Sequence, residues 1–573
     1  MVVMARTTFI ILWYAVCVLA CVDTGLFVYP SLSRTLFPAL CAMIMALVHA
    51  VWRIYDRKQI CLDGIQLFVI AWGAYIIIHG FVIAEAEKYM QMYLLGTLVM
   101  MVTLASAMRD GLMDGRRVED GILIISVIHI MFLICQSLGL LSSGNPYFRL
   151  TGADENPNIT AVALTVSIPL VFRRISGRKH TGIYVMLLVA ILLSVLSLRC
   201  RTAYLGVLCM SLFFIIRSDT VRKWLTGKEQ AKYRYAVLAA TIASIVVLGI
   251  SGYMWKKDSA DGRLFIWQRS AEMVVSSPLG VGYGMFERNY NLYQAEYFAT
   301  NDTARYGSRL ATACGSAYND ILEHGVQGGL AGGLLFAGFL MLALRKAYIM
   351  REPYMLCTLT AVTVMSAVNS VCYSVIPWLM TVAIVSLVAG GGTTVRCGGL
   401  RGVACGLLLA LVPLYILCNR VRFIHGQWQL KEYMSCQVHD TRKVEKLYPA
   451  IGTSEAYWRY LAECHEAGND SNSAAVCYMK ALRYTSSPLL LYKASACMES
   501  GGDTPAAAEL LRTAYNMLPG NLSLKYHLMN LYGRNGDSIS ARAMAMEILS
   551  VRRCKETENS GFIRKEAEAV LNR

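Results

Sequence analysis

Charge is scarce in this chain. Asp, Glu, Lys and Arg make up only 16% of its 573 residues, against 56% hydrophobic, and mean hydropathy is +0.45. So few charges cannot coat a soluble body of this size, so the composition excludes a single soluble domain and points to a membrane protein. Acidic residues are the scarcer kind, 38 against 54 basic ones, for a net charge of +16. That excess is scattered over short loops and forms no solvated stripe, which excludes a nucleic-acid surface. The 18 cysteines include no Cys-x-x-Cys pair and no regular spacing. Support for a zinc site or a disulfide framework is therefore missing, no metal or cofactor is expected, and the cysteines read as small hydrophobes. The apolar runs are almost empty of ionisable side chains: His79 and His129 are nearly alone, with Asp23 near the outer end of the first run. An ion-coupled transporter needs such groups near the midplane, so their scarcity weighs against one. Each histidine reads as a hydrogen-bonded packing residue.

What the chain has in quantity is long apolar runs. A spanning helix needs about 20 largely apolar residues, and candidates are centred near residues 18, 42, 74, 98, 130, 166, 190, 209, 244, 335, 364, 384 and 410. The expected fold is all-α, a polytopic membrane protein of about 13 transmembrane helices occupying 1–418. Basic residues alternate sharply between loops. Arg53, Arg57 and Lys58, then Arg109, Arg116 and Arg117, then Arg173, Arg174, Arg178 and Lys179 each follow an even-numbered run. By the positive-inside rule the N-terminus is inside, the first run is a retained span and no cleaved signal, and an odd span count leaves the C-terminus outside.

Two longer polar segments remain. Residues 255–325 form an outward loop too long for a connector. Beyond a 419–453 linker, residues 454–573 repeat: Trp458, Tyr492 and Tyr526 keep a 34-residue spacing, as do Gly468, Gly502 and Gly536, and Ala474, Ala507 and Ala541 follow nearly that period. A helix-turn-helix period of this length is the signature of tetratricopeptide repeats. The tail is expected to bind a partner or place an acceptor, and it shows no clustered acid, base or metal set for bond making.

The outer ends of the spans carry the chemistry. Arg149-Leu150-Thr151-Gly152-Ala153-Asp154-Glu155-Asn156-Pro157-Asn158 is rich in turn formers just where a helix re-enters the membrane, with Asn158 as the expected N-cap. Arg199-Cys200-Arg201-Thr202 puts two arginines in one tight turn. They are either snorkelling anchors or bidentate donors for a pyrophosphate. The long loop holds Arg263 and Trp267, then Ser277-Pro278-Leu279-Gly280-Val281-Gly282-Tyr283-Gly284-Met285-Phe286, and closes on Tyr318-Asn319-Asp320-Ile321-Leu322 before Gly329. The Gly-x-Gly-x-Gly piece, with no strand before it, reads as a tight backbone turn and no nucleotide loop.

In order and spacing these segments resemble the O-antigen ligase and polymerase family of bacterial membrane glycosyltransferases. The similarity is close over roughly residues 145–345, and the Arg263, Trp267, Pro278-to-Phe286 pattern is its most specific part. The resemblance implies transfer of a glycan from an undecaprenyl-pyrophosphate carrier to an acceptor hydroxyl, on lipid A core, a protein or a growing glycan, at the outer face of the bacterial inner membrane. It implies catalytic roles for Arg201, Arg263, Tyr318 and Asn319, and substrate contacts for Arg199, Asn156, Asn158, Trp267 and His324. The chain departs from the family pattern at Tyr318, where the family has histidine. A phenol with a pKa near 10 is a poor base at neutral pH, so the identity of the base stays open, with His324, Glu323 and Asp320 nearby. A non-enzymatic scaffold or exporter component that recruits partners through its tail is the alternative from another class.

Overall fold

The computed structural model describes residues 2–56, 59–83, 88–217, 257–300, 310–390, 395–397, 399–550 and 558–572. Among them the chain is all-α apart from a two-stranded antiparallel ribbon, Ile60–Leu62 with Val395–Cys397. It divides into two compact units: residues 1–82, 89–257 and 318–424, and residues 83–88, 258–317 and 425–573.

Among the described residues of the first unit seven helices are long and apolar enough to cross a membrane: Pro30–Tyr55, Gly64–Val82, Met90–Arg109, Gly115–Ser137, Pro157–Ser176, Thr181–Leu198 and Asp320–Ile349. The chain is thus a multi-pass membrane protein. Three shorter apolar helices, Val3–Leu19, Pro353–Ser366 and Val375–Ala389, accompany them, and helices also stand at Arg201–Arg217 and Gly399–Ser435. A helix therefore lies at each position expected from hydropathy except that near residue 244, which falls outside the described residues. The runs near 364 and 384 differ from the expectation of two full-length spans. Their helices have 14 and 15 residues, about 21 to 23 Å at 1.5 Å per residue, short of the ~30 Å hydrocarbon core.

Local chemistry fixes many of the helix starts. Pro30 and Pro157 sit in the first turn, where a missing N–H costs nothing, and Asp114 caps its helix by accepting from Arg117 N–H. Gly121 leaves room for an indole: a Cβ there would lie 2.3 Å from Trp13 Nε1, which donates to Arg117 C=O at 3.1 Å. The N-terminal helix is thereby seated against Gly115–Ser137.

The second unit gathers the loop helices Lys257–Ser276 and Phe286–Thr300 with a run of short packed helices. Three hairpins follow one another: Glu455–Ala467 with Ser471–Ala481, Pro488–Ser500 with Thr504–Met517, and Leu522–Arg534 with Ser538–Ser550, closed by Glu558–Asn572. The small residues Ala474, Ala507 and Ala541 are buried between them. The glycine register needs correcting. The left-handed turn residues are Asn469, Gly502 and Gly536, and Gly468 is the helix cap before Asn469. Asparagine tolerates that conformation nearly as well as glycine, so the turn steps from Asn469 and the true period begins one residue short of 34.

Each second helix opens on an aspartate, Asp470, Asp503 or Asp537, that accepts from a backbone N–H three residues on. Hydrogen bonds from the hydroxyl and then the N–H of Ser473 and Ser540 hold the Asp470 and Asp537 carboxyls below the usual carboxylate range. A depressed folded-state pKa stabilises above the unfolded value and is lost as pH falls through the folded one. Acidification below the ordinary aspartate range should therefore fray the second helices first. Hydrogen exchange over 471–481 and 538–550, corrected for intrinsic rate, should rise as pH falls there, and Asp537→Asn should flatten the response at its own helix only.

Candidate functional site

The turn from Arg149 to Asn158 is bolted onto two helices. Gln136 on Gly115–Ser137 accepts from the N–H groups of Thr151 and Gly152 at 2.9 and 3.0 Å, and returns its amide protons to Thr151 Oγ1 and Gly152 C=O. His129 Nδ1 accepts from Ala153 N–H at 3.2 Å, which places its ring proton on Nε2. Thr160 Oγ1 donates to Thr151 C=O at 2.6 Å. These bonds give His129 a packing role and explain why the turn needs its glycine. Gly152 has φ +75°, and a Cβ there would lie 2.7 Å from Thr160 Cγ2 and 3.0 Å from His129 Nδ1. Gly152→Ala should cost about 1–3 kcal/mol for the left-handed backbone and a similar overpacking cost of about 1–3 kcal/mol. The thermal midpoint of the purified protein should fall accordingly. Thr160→Ser, which removes the methyl and keeps the hydroxyl, should recover part of the loss.

The cap of the next helix is Asn156, which accepts from Asn158 N–H at 3.0 Å. The expectation of Asn158 as N-cap is corrected by two residues, because Pro157 already has helical geometry and donates no N–H, a first-turn position proline favours. Asn156 is exposed and Asn158 half-buried. Beside them Arg34 meets Asp154 at 3.5 Å and Glu155 at 3.9 Å. Burial raises the Asp154 carboxyl above its ordinary pKa, opposed by Arg34 and by the N–H groups of Asn156 and Glu155.

The second arginine turn is as tight as its spacing implies. Arg199 is the left-handed cap of Thr181–Leu198, with φ +51°, and Arg201 opens the next helix. Cys200 between them is buried, so an exposed Arg199 and a half-buried Arg201 flank an inward-turned thiol.

Tyr318 to Asp320 form a clamp. Tyr318 takes a left-handed φ of +50°. Asn319 caps Asp320–Ile349 by accepting from Ile321 and Leu322 N–H, and donates its amide to Ala367 C=O at 3.0 Å. Asp320, fully buried, accepts from the N–H groups of Val371, Cys372 and Tyr373 at 3.0, 2.7 and 3.1 Å. Irregular backbone between apolar helices must be satisfied from within the protein, and Asp320 does this for the break between the two short helices. Glu323 accepts from Gln327 at 2.5 Å and is buried. His324 is 3% exposed, stacked on Phe336 at 4.5 Å with Trp72 edge-on at 5.6 Å, so it lies in the core and on no open surface. The helix then breaks at Gly329, where φ is +67° and ψ −175°, a conformation essentially confined to glycine.

In the second unit Arg263 and Trp267 stand four residues apart on Lys257–Ser276, both half-buried. The helix buries Ile266, Arg269, Ser270 and Met273, and the Arg263/Trp267 face flanks that stripe. Arg269 pairs with Glu272 at 2.7 Å and lies 4.1 Å over the Tyr297 ring, holding this helix to Phe286–Thr300. Between them Gly280, Gly282 and Gly284 all have positive φ, at +82°, +103° and +87°. The alternation turns Tyr283 and Met285 fully inward, as a tight backbone turn requires.

Phe286–Thr300 is in turn gripped by the tail. The Glu287 carboxylate accepts from Thr485 Oγ1 at 3.1 Å, Ser486 Oγ at 2.8 Å and Ser486 N–H at 3.4 Å. Arg288 donates to Leu482 C=O, Asn291 to Ser486 Oγ and Gln294 to Met517 C=O, at 2.9, 2.9 and 2.7 Å. Asn291, Gln294 and Ser486 are almost completely buried. Nothing in the sequence singles out Glu287, since its partners lie nearly 200 residues away. The sequence-derived residues thus divide between the units: Arg199, Arg201, Asn156, Asn158, Tyr318, Asn319 and His324 in the first, Arg263 and Trp267 in the second.

Residues 185–337 match the family model described as O-antigen ligase, so the chain carries an O-antigen ligase family domain, of a membrane glycan-transferring enzyme family. No curated protein matches the chain.

Proposed function

We propose that the protein transfers an oligosaccharide or polysaccharide from an undecaprenyl-pyrophosphate carrier to an acceptor hydroxyl, as an O-antigen ligase or a protein O-oligosaccharyltransferase, at the outer face of the bacterial inner membrane. The match over 185–337 carries this reading, because that stretch includes Arg199, Arg201, Arg263, Trp267, Tyr318 and Asn319. In the reaction the acceptor oxygen attacks the anomeric carbon, the bond from that carbon to the phosphate oxygen breaks, and the pyrophosphate leaves with the electron pair. The resemblance to that family assigns Arg201 and Arg263 the stabilisation of the charge that develops on the leaving group, for which guanidinium groups are suited. The acceptor proton passes to a base or to water.

Asn319 acts in this scheme as a positioning residue, because its amide is committed to the helix cap and to Ala367. It orients Tyr318, whose hydroxyl contacts the acceptor. Tyr318→Phe is then expected to lower kcat about 10- to 100-fold at matched protein level, within the range of a lost acid-base or hydrogen-bonding group. A pH-rate profile whose ascending, acidic limb moves to lower pH in Tyr318→His makes Tyr318 the base, and an unmoved limb makes it an orienting group.

The tail, read as tetratricopeptide-like hairpins outside the cytoplasm, presents the acceptor. It has a groove of about 680 Å³ lined by Tyr448, Trp458, Leu461, His465 and Lys480, with Trp458 fixed by a bond to Gly452 C=O and Lys480 4.4 Å over its ring. Surface glycans and glycoproteins of a deletion strain separate the acceptors. Loss of long-chain lipopolysaccharide defines a ligase, and loss of protein glycosylation alone defines a protein transferase. A single repeat unit capping the core defines a polymerase, and unchanged glycans overturn the reading in favour of a scaffold.

A further inference from the structure

At the ends of Gly115–Ser137 and Pro157–Ser176 opposite to the Arg149–Asn158 turn, the ends of several helices enclose a cavity of about 520 Å³. Its lining combines two chemistries. Met108, Met350, Met355, Leu387 and Val388 supply an apolar wall, while Arg116, Arg173, Arg174 and Lys179 face only two acids on the lining, Glu119 and Glu352. The arginines nearest the core are held rigidly. Arg173 pairs with Glu119 at 2.9 Å and Glu352 at 3.6 Å. Arg174 pairs with Glu119 at 3.0 Å and Asp120 at 2.8 Å and donates to Arg116 C=O at 2.8 Å. Its side chain is only 5% exposed, yet its Nε is buried with no hydrogen-bond partner among the described residues. A buried guanidinium N–H left open is unfavourable. Counting Asp120, which pairs with Arg174, the basic residues of the cavity outnumber its acids by one.

We propose that this cavity binds the phosphate of an anionic phospholipid headgroup, with the exposed Arg116 and Lys179 as donors, the charges of Arg173 and Arg174 behind them, and the methionine and leucine wall against the glycerol and the first acyl carbons. A soluble phosphate would leave that wall unused, and a zwitterionic headgroup would bring an ammonium against the arginines. The same loops carry the basic residues that the charge alternation puts at the cytoplasmic leaflet, so the choice of leaflet, though not the chemistry of the site, rests on that topology. Basic pockets between helix ends at that depth suit anionic headgroups.

The full chain purified in detergent, titrated with phosphatidylglycerol and with phosphatidylethanolamine of the same acyl chains, tests this by native mass spectrometry. Phosphatidylglycerol should bind at least about tenfold more tightly. Arg116→Ala/Lys179→Ala should lower its affinity about 10- to 30-fold, at roughly a kilocalorie per surface cation. Both residues are exposed and outside the Glu119 ion-pair network, so this variant keeps the fold that Arg174→Ala would endanger. Equal binding of the two lipids, parent-like affinity in the double variant, or displacement of phosphatidylglycerol by equimolar glycerol phosphate would each overturn the proposal. Labelling Lys179→Cys in intact spheroplasts with an impermeant thiol reagent, over the parent's background, reads the leaflet separately. Reaction from outside overturns the cytoplasmic assignment while the detergent titration stands.

Discussion

Arg201→Ala and Arg263→Ala should each lower glycan transfer by about 30- to 1000-fold with insertion and abundance unchanged. On the proposed mechanism each removes positive charge that stabilises a departing pyrophosphate, and such contacts are worth about 2 to 4 kcal/mol. Arg201 opens its helix and Arg263 stands on the half-buried flank of its own, so neither alanine empties a core position. Lysine should restore only part of the rate, because an ammonium carries the charge without the bidentate fork. Arg199→Ala, at an exposed left-handed cap, should weaken donor affinity more than turnover. Full activity of both alanine variants in a reconstituted transfer assay would leave the arginines as interfacial anchors.

Breaking the grip of the tail on the Phe286–Thr300 helix should be nearly as damaging. Glu287→Ala strands the hydroxyls of Thr485 and Ser486 and the Ser486 N–H in a buried setting. An unmatched donor there costs about 1–3 kcal/mol, and a lost charge-assisted set more than a neutral one. We expect transfer to fall at least tenfold, because the glycine turn and the Arg263 helix are held to Phe286–Thr300 by Arg269 and its aromatic partners. Glu287→Gln, which retains acceptor oxygen, should lose less. A double-mutant cycle of Glu287→Ala with Ser486→Ala should show coupling of about 1 kcal/mol or more, since each removes the other's partner. Additive effects in that cycle would separate the tail from the loop. For the same reason, deleting residues 454–573 should abolish turnover of donor as well as transfer to the native acceptor. Substitutions at the Tyr448–Lys480 groove, away from Glu287, are the better probe of acceptor choice.

The sequence by itself determined the membrane character, the all-helical architecture, the positions of most helices and the identity of the domain. These depend on properties carried locally: about 20 apolar residues in a row, charge alternation between loops, prolines and aspartates at helix starts, and motif residues a few positions apart. Hydropathy could not reveal that the runs near 364 and 384 form short helices about a break, since the break survives only because Asp320, some 50 residues earlier, satisfies its three N–H groups. Nor could a local window tell Asn156 from Asn158 as the cap, or place His324 in an aromatic core. Tertiary structure alone decided that the helices Lys257–Ser276 and Phe286–Thr300 belong with the tail. Glu287, Asn291 and Gln294 look like ordinary polar residues of a surface helix. They become buried anchors only when chain folding brings Ser486 and Met517 to them, and a pairing of groups some 200 residues apart leaves no periodic or compositional trace in either segment.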